Sequence, residues 1–347
     1  NFETDGGTIK LDGNYPTGSD NVALGDTALD DGSLSGGNNV AIGSAALTAN
    51  TTGNRGTAVG KSALAANTTG TENIAIGYQA LDANSTGAAN TAVGSEALGA
   101  NTTANYNTAV GVASMILNTT GAQNTAIGAL TLDANTTASN NTGVGYAALT
   151  ANTTGTENTA LGRDALGANT TANNNTAVAY RALYSNTTGT LNAALGTAAL
   201  LSNTTGNNNT AIGALALDAN TTSSNNTAVG YAALGANTTG SENTAVGTEA
   251  MDANTTGGDS VAFGYAALGA NTTGSSNTAL GYVALTTNTT GQQNTAVGGG
   301  ALDASSTASY NTAVGYRALG ADTTGQENAA FGTDALLANT TGGRNTA

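Results

Sequence analysis

The sequence NTAVGYAALGANTTGSE, at residues 226–242, decides the fold, because nearly all of the chain consists of edited copies of it. Eighteen copies of this 17-residue unit fill residues 39–344 without one insertion or deletion. A short fixed period is typical of repeat proteins, in which each copy packs on its two neighbours. We therefore expect the 347 residues to form one array rather than several globular domains.

The ends of the array differ from its middle. Residues 1–20 lie outside the period and predict an N-terminal cap or the end of a preceding domain, with a short strand at residues 8–11. Residues 21–38 form a degenerate first repeat that is one residue longer than the others, and we expect the extra residue in the loop at residues 30–38. Residues 345–347 are the start of a truncated further repeat.

The pattern within one copy indicates a β-coil. With Asn226 as position 1, position 4 is apolar in every copy, and position 5 is Gly in every copy except at Ala179. Glycine and threonine interrupt the chain too often for paired helices, which usually need more than about 30 residues a repeat. We predict an all-β fold, a parallel β-roll or β-solenoid, in which each 17-residue copy is one coil.

Two extended segments are expected in each coil. Residues 226–229 should form a short strand with Thr227 and Val229 on one face and Ala228 on the other. Residues 233–239 should form a second extended segment that carries Leu234. Val229 and Leu234 are expected to fill the interior, and the alanine to meet a neighbouring chain on the opposite face. This placement predicts a side-by-side oligomer.

Several positions of the reference copy should stack on their equivalents as structural ladders. They are Asn226, Val229, Gly230, Leu234, Asn237 and Thr239. Stacked asparagines can form amide ladders and also tolerate turn geometry. The glycine should have a positive φ or no room for a Cβ, so Ala179, which replaces it once, should be strained or locally rearranged.

Composition argues against several classes of function. The chain has 22 acidic and 7 basic residues and a formal net charge of −15, which is unsuited to nucleic-acid binding. It has no His, Cys or Trp, and the aspartates that recur at position 10 never occupy adjacent copies, so we expect no enzyme activity, no cofactor and no metal site. No apolar run approaches the roughly 20 residues that span a bilayer, so we expect no membrane insertion of this segment.

Columns of tyrosine and of threonine are candidate binding sites on the surface. Tyrosine recurs at position 6 as a candidate surface for a partner or a glycan, with packing at the coil edge as the alternative. These residues are Tyr78, Tyr146, Tyr180, Tyr231, Tyr265, Tyr282 and Tyr316. Thr238 and Thr239, with their counterparts in the other copies, form two threonine columns similar to those of ice-binding solenoids, although Asn237 takes the place of a second threonine on the face of Thr239. The Asn-Thr-Thr triplets also match the N-glycosylation sequon, but glycans would not fit on coils about 4.8 Å apart.

The strand motif resembles that of a known family. The segments NVAIG at residues 39–43, NIAIG at residues 73–77 and SVAFG at residues 260–264 are similar to the S-V-A-I-G core of the head repeats of YadA-like trimeric autotransporter adhesins. Related repeats occur in bacterial and phage tail-fibre proteins. The resemblance implies a left-handed roll, three chains around one axis, and an extracellular location on a cell surface or virion. Two departures are the 17-residue repeat, longer than the adhesin coil, and the Thr that most copies carry at position 2, where the family prefers Val.

The sequence thus predicts a non-enzymatic structural or adhesive fibre segment. We expect a homotrimer or another homo-oligomer that spaces or presents a binding tip, with a host-surface receptor or a glycan as its partner. Two alternatives remain open. One is an ice-binding or glycan-binding solenoid that uses its own threonine and asparagine ladders, and the other is a self-assembling extracellular filament or sheath subunit.

Overall fold

The computed structural model describes residues 18–347, which contain nineteen short β-strands and no helix. Most of the cap predicted for residues 1–20, including its strand at residues 8–11, lies outside the described residues. The strands, in chain order, are β1 (Val22–Leu24), β2 (Val40–Ile42), β3 (Thr57–Val59), β4 (Ile74–Ile76), β5 (Thr91–Val93), β6 (Thr108–Val110), β7 (Thr125–Ile127), β8 (Thr142–Val144), β9 (Thr159–Leu161), β10 (Thr176–Val178), β11 (Ala193–Leu195), β12 (Thr210–Ile212), β13 (Thr227–Val229), β14 (Thr244–Val246), β15 (Val261–Phe263), β16 (Thr278–Leu280), β17 (Thr295–Val297), β18 (Thr312–Val314) and β19 (Ala329–Phe331).

The chain consists of two units, and each is a parallel β-solenoid. The first carries β1–β9 in residues 18–173, and the second carries β10–β19 in residues 174–347. Within each unit a strand pairs in parallel with the strand of the next copy; in β13 and β14, for example, Ala228 lies opposite Ala245 and Val229 opposite Val246. Equivalent residues of successive copies therefore form columns, which confirms the predicted fold class and the coil of one repeat.

The two atypical ends also pair with their neighbours. Val22 of β1 lies opposite Val40 of β2, an offset one residue longer than that between later strands, so the extra residue of the first copy lies outside the strands. Leu34, in the loop that contains it, is fully buried. At the other end, Ala329 of β19 forms a parallel bridge with Thr346, so residues 345–347 begin a further coil.

The segment after each strand is a tight turn, not the second extended segment expected at residues 233–239. In the reference copy residues 231–236 turn continuously, with Ala232 and Leu234 in the left-handed region at φ values of 53° and 52°. The backbone still bonds to the next coil: Leu234 N–H donates to the Ala250 carbonyl at 3.0 Å, and Ala236 N–H to the Asp252 carbonyl at 2.9 Å. These bonds give the buried N–H and C=O groups of the turn hydrogen-bond partners although no strand is present. The spacing of apolar residues alone therefore did not reveal the turn.

Glycine follows every strand except β10. Gly230 has a φ of 139°, and a Cβ there would lie 2.4 Å from the carbonyl oxygen of Gly247 in the next coil. Both the backbone conformation and the close approach of the next coil therefore strongly disfavour a side chain. Ala179, the one exception, has a φ of 112°, below the 125° to 145° of the glycines at this position.

The interior of each coil is filled by alanine and leucine. Ala228, Ala233 and Leu234 have no exposed surface, whereas Val229 is half-buried on the outer side. The prediction that position 4 faces the interior, and position 3 a neighbouring chain, is therefore wrong. Strand alternation separated the two positions correctly but did not say which of them points inward.

The narrow interior explains this reversal. In the coil where Gly143 stands at position 3, an added Cβ would lie 3.7 Å from Leu132 Cδ1, already in van der Waals contact with the leucine column. A methyl group fills the remaining space, and a larger side chain would not fit. The same Cβ would lie 2.6 Å from Cγ2 of Thr131, which replaces the usual alanine at position 8, so Gly143 compensates for that larger neighbour.

Candidate functional site: an uncharged strand face

The outer side of the strands forms an apolar stripe in each unit. We call it the strand face and define it as the first and third residues of β1–β19. Its large apolar side chains are 36% to 60% exposed where they protrude most: Val22, Ile42, Ile74, Ile76, Ile127, Leu161, Leu195, Ile212, Val261, Phe263, Leu280 and Phe331. Contiguous exposed apolar surface of this kind marks an interaction site.

The strand face carries no charged residue in any coil. The chain has 22 acidic and 7 basic residues, yet none stands at the first or third position of β1–β19. Charges occur instead beyond the strand, as with Lys61 after the glycine turn, Asp218 in the tight turn and Glu242 at the end of the copy. Depletion of charge at the centre of an apolar patch is a compositional mark of protein interfaces.

The geometry of the strand face is regular because its strands are short, parallel and in register. Columns of threonine, as at Thr227, run beside columns of branched aliphatic residues, as at Val229, with coils about 4.8 Å apart. The face therefore offers methyl groups and hydroxyls in rows. It can bury apolar surface against another flat face, but it holds no group that transfers protons near neutral pH.

The tyrosine column lies on the neighbouring corner, one residue beyond the glycine turn. All seven candidate tyrosines are exposed, by 46% to 65%. The structure stacks one pair, Tyr265 and Tyr282, with ring centroids 5.5 Å apart and planes 17° apart. The Glu249 carboxylate, which faces Tyr265 and accepts its hydrogen bond, raises the pKa of that phenol. Non-aromatic residues stand between most of the other tyrosines, so they do not form a continuous platform.

The threonine columns are used differently from each other. The Thr238 hydroxyl donates to the Thr255 carbonyl of the next coil at 3.0 Å, and this bond recurs along both units. Thr239 is exposed. A pair of free threonine columns therefore does not exist at positions 13 and 14, which weakens the case for an ice-binding surface there.

The two asparagine columns are buried and hold the coils together. Asn237 Nδ2 donates to Asn220 Oδ1 at 3.2 Å and to the Gly240 carbonyl at 2.9 Å, while Asn237 Oδ1 accepts from Asn254 Nδ2 at 2.9 Å. Asn226 is used otherwise: its Nδ2 donates to the Gly240 carbonyl of the same coil at 3.0 Å, and its Oδ1 accepts a backbone N–H of the next coil. Both columns are structural and unavailable to a ligand.

The aspartates at position 10 lie on a second corner, and no two of them come together. Each aspartate lies next to a small residue one copy later. Asp218 Oδ1, for example, would lie 3.5 Å from a Cβ at Gly235, and Thr150 Oγ1 donates to Asp133 Oδ1 at 2.6 Å. Partial burial raises the pKa of Asp82, Asp218, Asp252 and Asp303. The sequence analysis did not identify this contact between an aspartate and the small residue one copy later. Yet position 10 of the copy after every such aspartate is Gly or Thr.

Residues 18–347 contain neither a cluster of metal ligands nor a membrane-spanning helix. Nowhere in this range do three or more metal-ligating side chains of His, Cys, Asp or Glu come together. The same residues include no apolar helix of the length needed to cross a bilayer. No protein-family model matches this chain, and no curated protein matches its sequence.

Proposed function

We propose that this chain is a non-enzymatic structural segment of an extracellular fibre, in which copies of the chain associate side by side through their strand faces. The observation that carries the proposal is the strand face itself. It exposes aliphatic side chains in both units and two phenylalanines in the second, and it has no charged residue in any coil. A solvated surface would not need to avoid charge in a chain with a net charge of −15.

Repetition makes such an interface stable. Fully burying one large apolar side chain contributes roughly 1.5 to 3 kcal/mol, so burying the exposed half of one contributes about 1 kcal/mol. A single coil contributes little, but the contribution recurs in each coil along a unit. The corrected position of Val229 strengthens the argument for association, because the branched aliphatic column, and not the alanine column, is what a neighbouring chain would cover.

The number of chains and the location are part of the proposal. The resemblance of the NVAIG-type segments to adhesin head repeats supports three chains around one axis, on a cell surface or virion. In such a fibre the segment would space or present a binding tip for a receptor or glycan. The scattered carboxylates and the absence of histidine and cysteine from the sequence favour this structural role over catalysis.

The mass of the chain in solution tests the proposal. One chain has a mass of 33.3 kDa, so sedimentation equilibrium should give about three times that value. The double variant Leu195→Asp, Phe263→Asp places carboxylates on the strand face and should lower the mass to that of one chain. The matched control Leu191→Asp, Tyr310→Asp changes two apolar residues of similar exposure off the face, 57% and 56%, and should leave the mass unchanged. A monomeric wild-type chain would refute the proposal.

Ice binding is a second candidate, favoured by a different feature of the same face. Threonine stands beside an aliphatic residue on the strand face of most coils, as Thr227 does beside Val229, in regular uncharged rows. Thermal hysteresis in a monomeric wild-type chain, lost in the Leu195→Asp, Phe263→Asp variant, would favour this function. A trimer without thermal hysteresis would exclude it. Light scattering that grows with concentration would instead indicate a filament.

A further inference from the structure

The buried amide column at position 12 is complete over most of the second unit. In a typical coil Asn271 Nδ2 donates to Asn254 Oδ1 at 2.8 Å and to the Gly274 carbonyl at 2.9 Å. Asn271 Oδ1 in turn accepts from Asn288 Nδ2 at 2.9 Å. Each amide therefore supplies two donated bonds and accepts one, which is what a fully buried amide needs.

Two successive coils interrupt this column. Position 12 is Ser305 in one coil and Asp322 in the next, and all other copies from residue 39 onward have asparagine there. Both replacements remove the donating Nδ2. The buried side-chain atoms without a hydrogen-bond partner in residues 18–347 are Asn288 Oδ1, Ser305 Oγ and Asp322 Oδ2, which belong to three successive coils of this one column. All three residues are 0% exposed.

The missing bonds can be named from the intact coils. The Gly291 carbonyl accepts from Asn277 Nδ2 at 2.8 Å and from Asn288 Nδ2 at 3.1 Å. The equivalent Ala308 carbonyl keeps only the first kind of bond, from Asn294 Nδ2 at 2.8 Å, because the serine of its own coil has no amide. Asn288 Oδ1 and the Ala308 carbonyl therefore both lack the donor that an asparagine at residue 305 would supply.

Asp322 is oriented like the asparagine that it replaces. Its Oδ1 accepts from Asn339 Nδ2 at 3.0 Å, as Asn271 Oδ1 accepts from Asn288 Nδ2, and it also accepts from the Gly325 N–H at 3.2 Å. Its Oδ2 then stands at the end where asparagine carries the donating Nδ2. An ionised carboxylate has no proton to offer there, whereas a neutral carboxyl group has one.

We propose that the interruption is a buried site for one water molecule and one proton, with the water in place of the Ser305 amide and the proton on Asp322 Oδ2. Serine has two heavy atoms fewer than asparagine, which frees about the volume of one water molecule. The water donates to Asn288 Oδ1 and to the Ala308 carbonyl. It accepts from Ser305 Oγ–H and from the neutral carboxyl group of Asp322, so Asn288 Oδ1, Ser305 Oγ and Asp322 Oδ2 each gain a partner.

The electrostatic environment supports a proton on this carboxyl group. Burial raises the pKa of Asp322 to about 6, and the hydrogen bond from the Gly325 N–H offsets only part of that effect. The side chains packed against Asp322 are uncharged: Ser305 on one side in the column, Asn339 on the other, and Asn328 beside the Gly325 turn. No cation is therefore at hand to stabilise the carboxylate.

The proton makes the stability of the last coils depend on pH. The direction of this dependence follows from the pKa values of Asp322 in the folded and the unfolded chain. The folded pKa of about 6 lies above the ordinary 3.8 of an unfolded aspartate, so the folded form binds the proton more tightly. The stability that depends on Asp322 is fully present below about pH 4 and falls as the pH rises through 6. Local opening of these coils should become about 50-fold more frequent between pH 4 and pH 7.

Hydrogen exchange of the full-length chain tests the proposal. We expect the opening of residues 323–347, corrected for intrinsic exchange rates, to show this pH dependence in the wild type and to lose it in Asp322→Asn. The matched control Asp334→Asn removes an exposed carboxylate from the next coil and should keep the dependence. Ser305→Asn supplies the missing amide, so it should slow the opening at every pH. The dependence of the opening on pH should remain as in the wild type.

Infrared spectroscopy gives a direct readout of the proton. The difference spectrum between the wild type and Asp322→Asn at pH 5 should contain the carbonyl stretch of a neutral carboxylic acid and should lose it at pH 8. Equal slopes in the wild type and Asp322→Asn, or the absence of that band, would overturn the proposal. Opening that depends on the concentration of sodium or potassium ions rather than on pH would also overturn it, and would place a cation between the three oxygens.

Discussion

Replacement of Gly230 by alanine tests the reasoning about coil spacing. Gly230 has a φ of 139°, and a Cβ there would lie 2.4 Å from the Gly247 carbonyl oxygen and 2.6 Å from its carbonyl carbon. Both atoms belong to the backbone, so no side chain can rotate away, and the two coils must separate locally. An unfavourable φ of this kind costs about 1 to 3 kcal/mol. The lower entropy of the unfolded alanine chain returns only about 0.4 to 1 kcal/mol.

With the contact added, we expect Gly230→Ala to lower the free energy of unfolding by about 2 to 3 kcal/mol. The matched control is Gly299→Ala in the same unit. Gly299 does not have a positive φ, and its added Cβ would approach no atom closer than 3.6 Å, an ordinary contact. That variant should be neutral or slightly stabilising. The reverse change, Ala179→Gly, should relieve the strain at a φ of 112° and stabilise the chain by about 1 kcal/mol.

Urea unfolding followed by circular dichroism, combined with hydrogen exchange of β13 and β14, measures these changes. Exchange is needed because neighbouring coils of a repeat protein can open without the rest of the chain. Should Gly230→Ala cost no more than Gly299→Ala, the coils would not be in the close contact described, and the account of position 5 would be wrong.

Three further sets of substitutions test the buried leucine column, the amide column and the raised pKa of an aspartate. Leu234→Ala should lower the free energy of unfolding by about 2 to 5 kcal/mol because it opens a cavity in a fully buried column. Val229→Ala in a monomeric chain should lower it by less than about 1 kcal/mol. Equal losses would mean that the valine faces the interior. Asn237→Ala should destabilise the chain by more than about 2 kcal/mol, because it leaves buried partners on two adjacent coils without their bonds, and a neutral result would mean that the amide column is not structural. Burial raises the pKa of Asp218, so the wild type should lose stability as the pH rises above the ordinary pKa of 3.8. Asp218→Asn should therefore melt at a higher temperature than the wild type at pH 7 but not at pH 3. The same difference in melting temperature at both pH values would contradict this.

The period and register of the fold were predictable from the sequence. Eighteen copies without an insertion require that equivalent residues stack, and the pairing of Val229 with Val246 shows that they do. The requirement for glycine at position 5 and for asparagine at position 12 also followed from their near-invariance within the chain. Each of these inferences compares one copy with another, and such comparisons report what every coil shares.

The direction of the strand residues was not predictable in this way. Alternation places Ala228 and Val229 on opposite faces, but hydrophobicity favours the valine for the interior, and the interior is too narrow for it. The tight turn at residues 231–236 was missed for a related reason. Left-handed conformation at Leu234 has no signature in its own residue type, because the bond to the next coil stabilises it.

The candidate site was only partly visible in the sequence. The seven tyrosines were found, but the sequence did not show that the rings of Tyr265 and Tyr282 stack. The strand face was missed because its valines were assigned to the interior. One signal was present from the start: no charged residue stands at the first or third position of any strand.

The repeated register has a consequence for how such chains change in length. Within each unit, a coil bonds to the copies directly before and after it and uses equivalent atoms each time. Removal of residues 226–242 would therefore bring Thr210 opposite Thr244 and recreate a native junction. A deletion of one residue within a strand would instead turn a whole row of side chains to the wrong side. Genetic slippage that adds or removes complete copies therefore leaves the structure of the remaining coils unchanged. We expect chains of this type to vary in length by whole repeats.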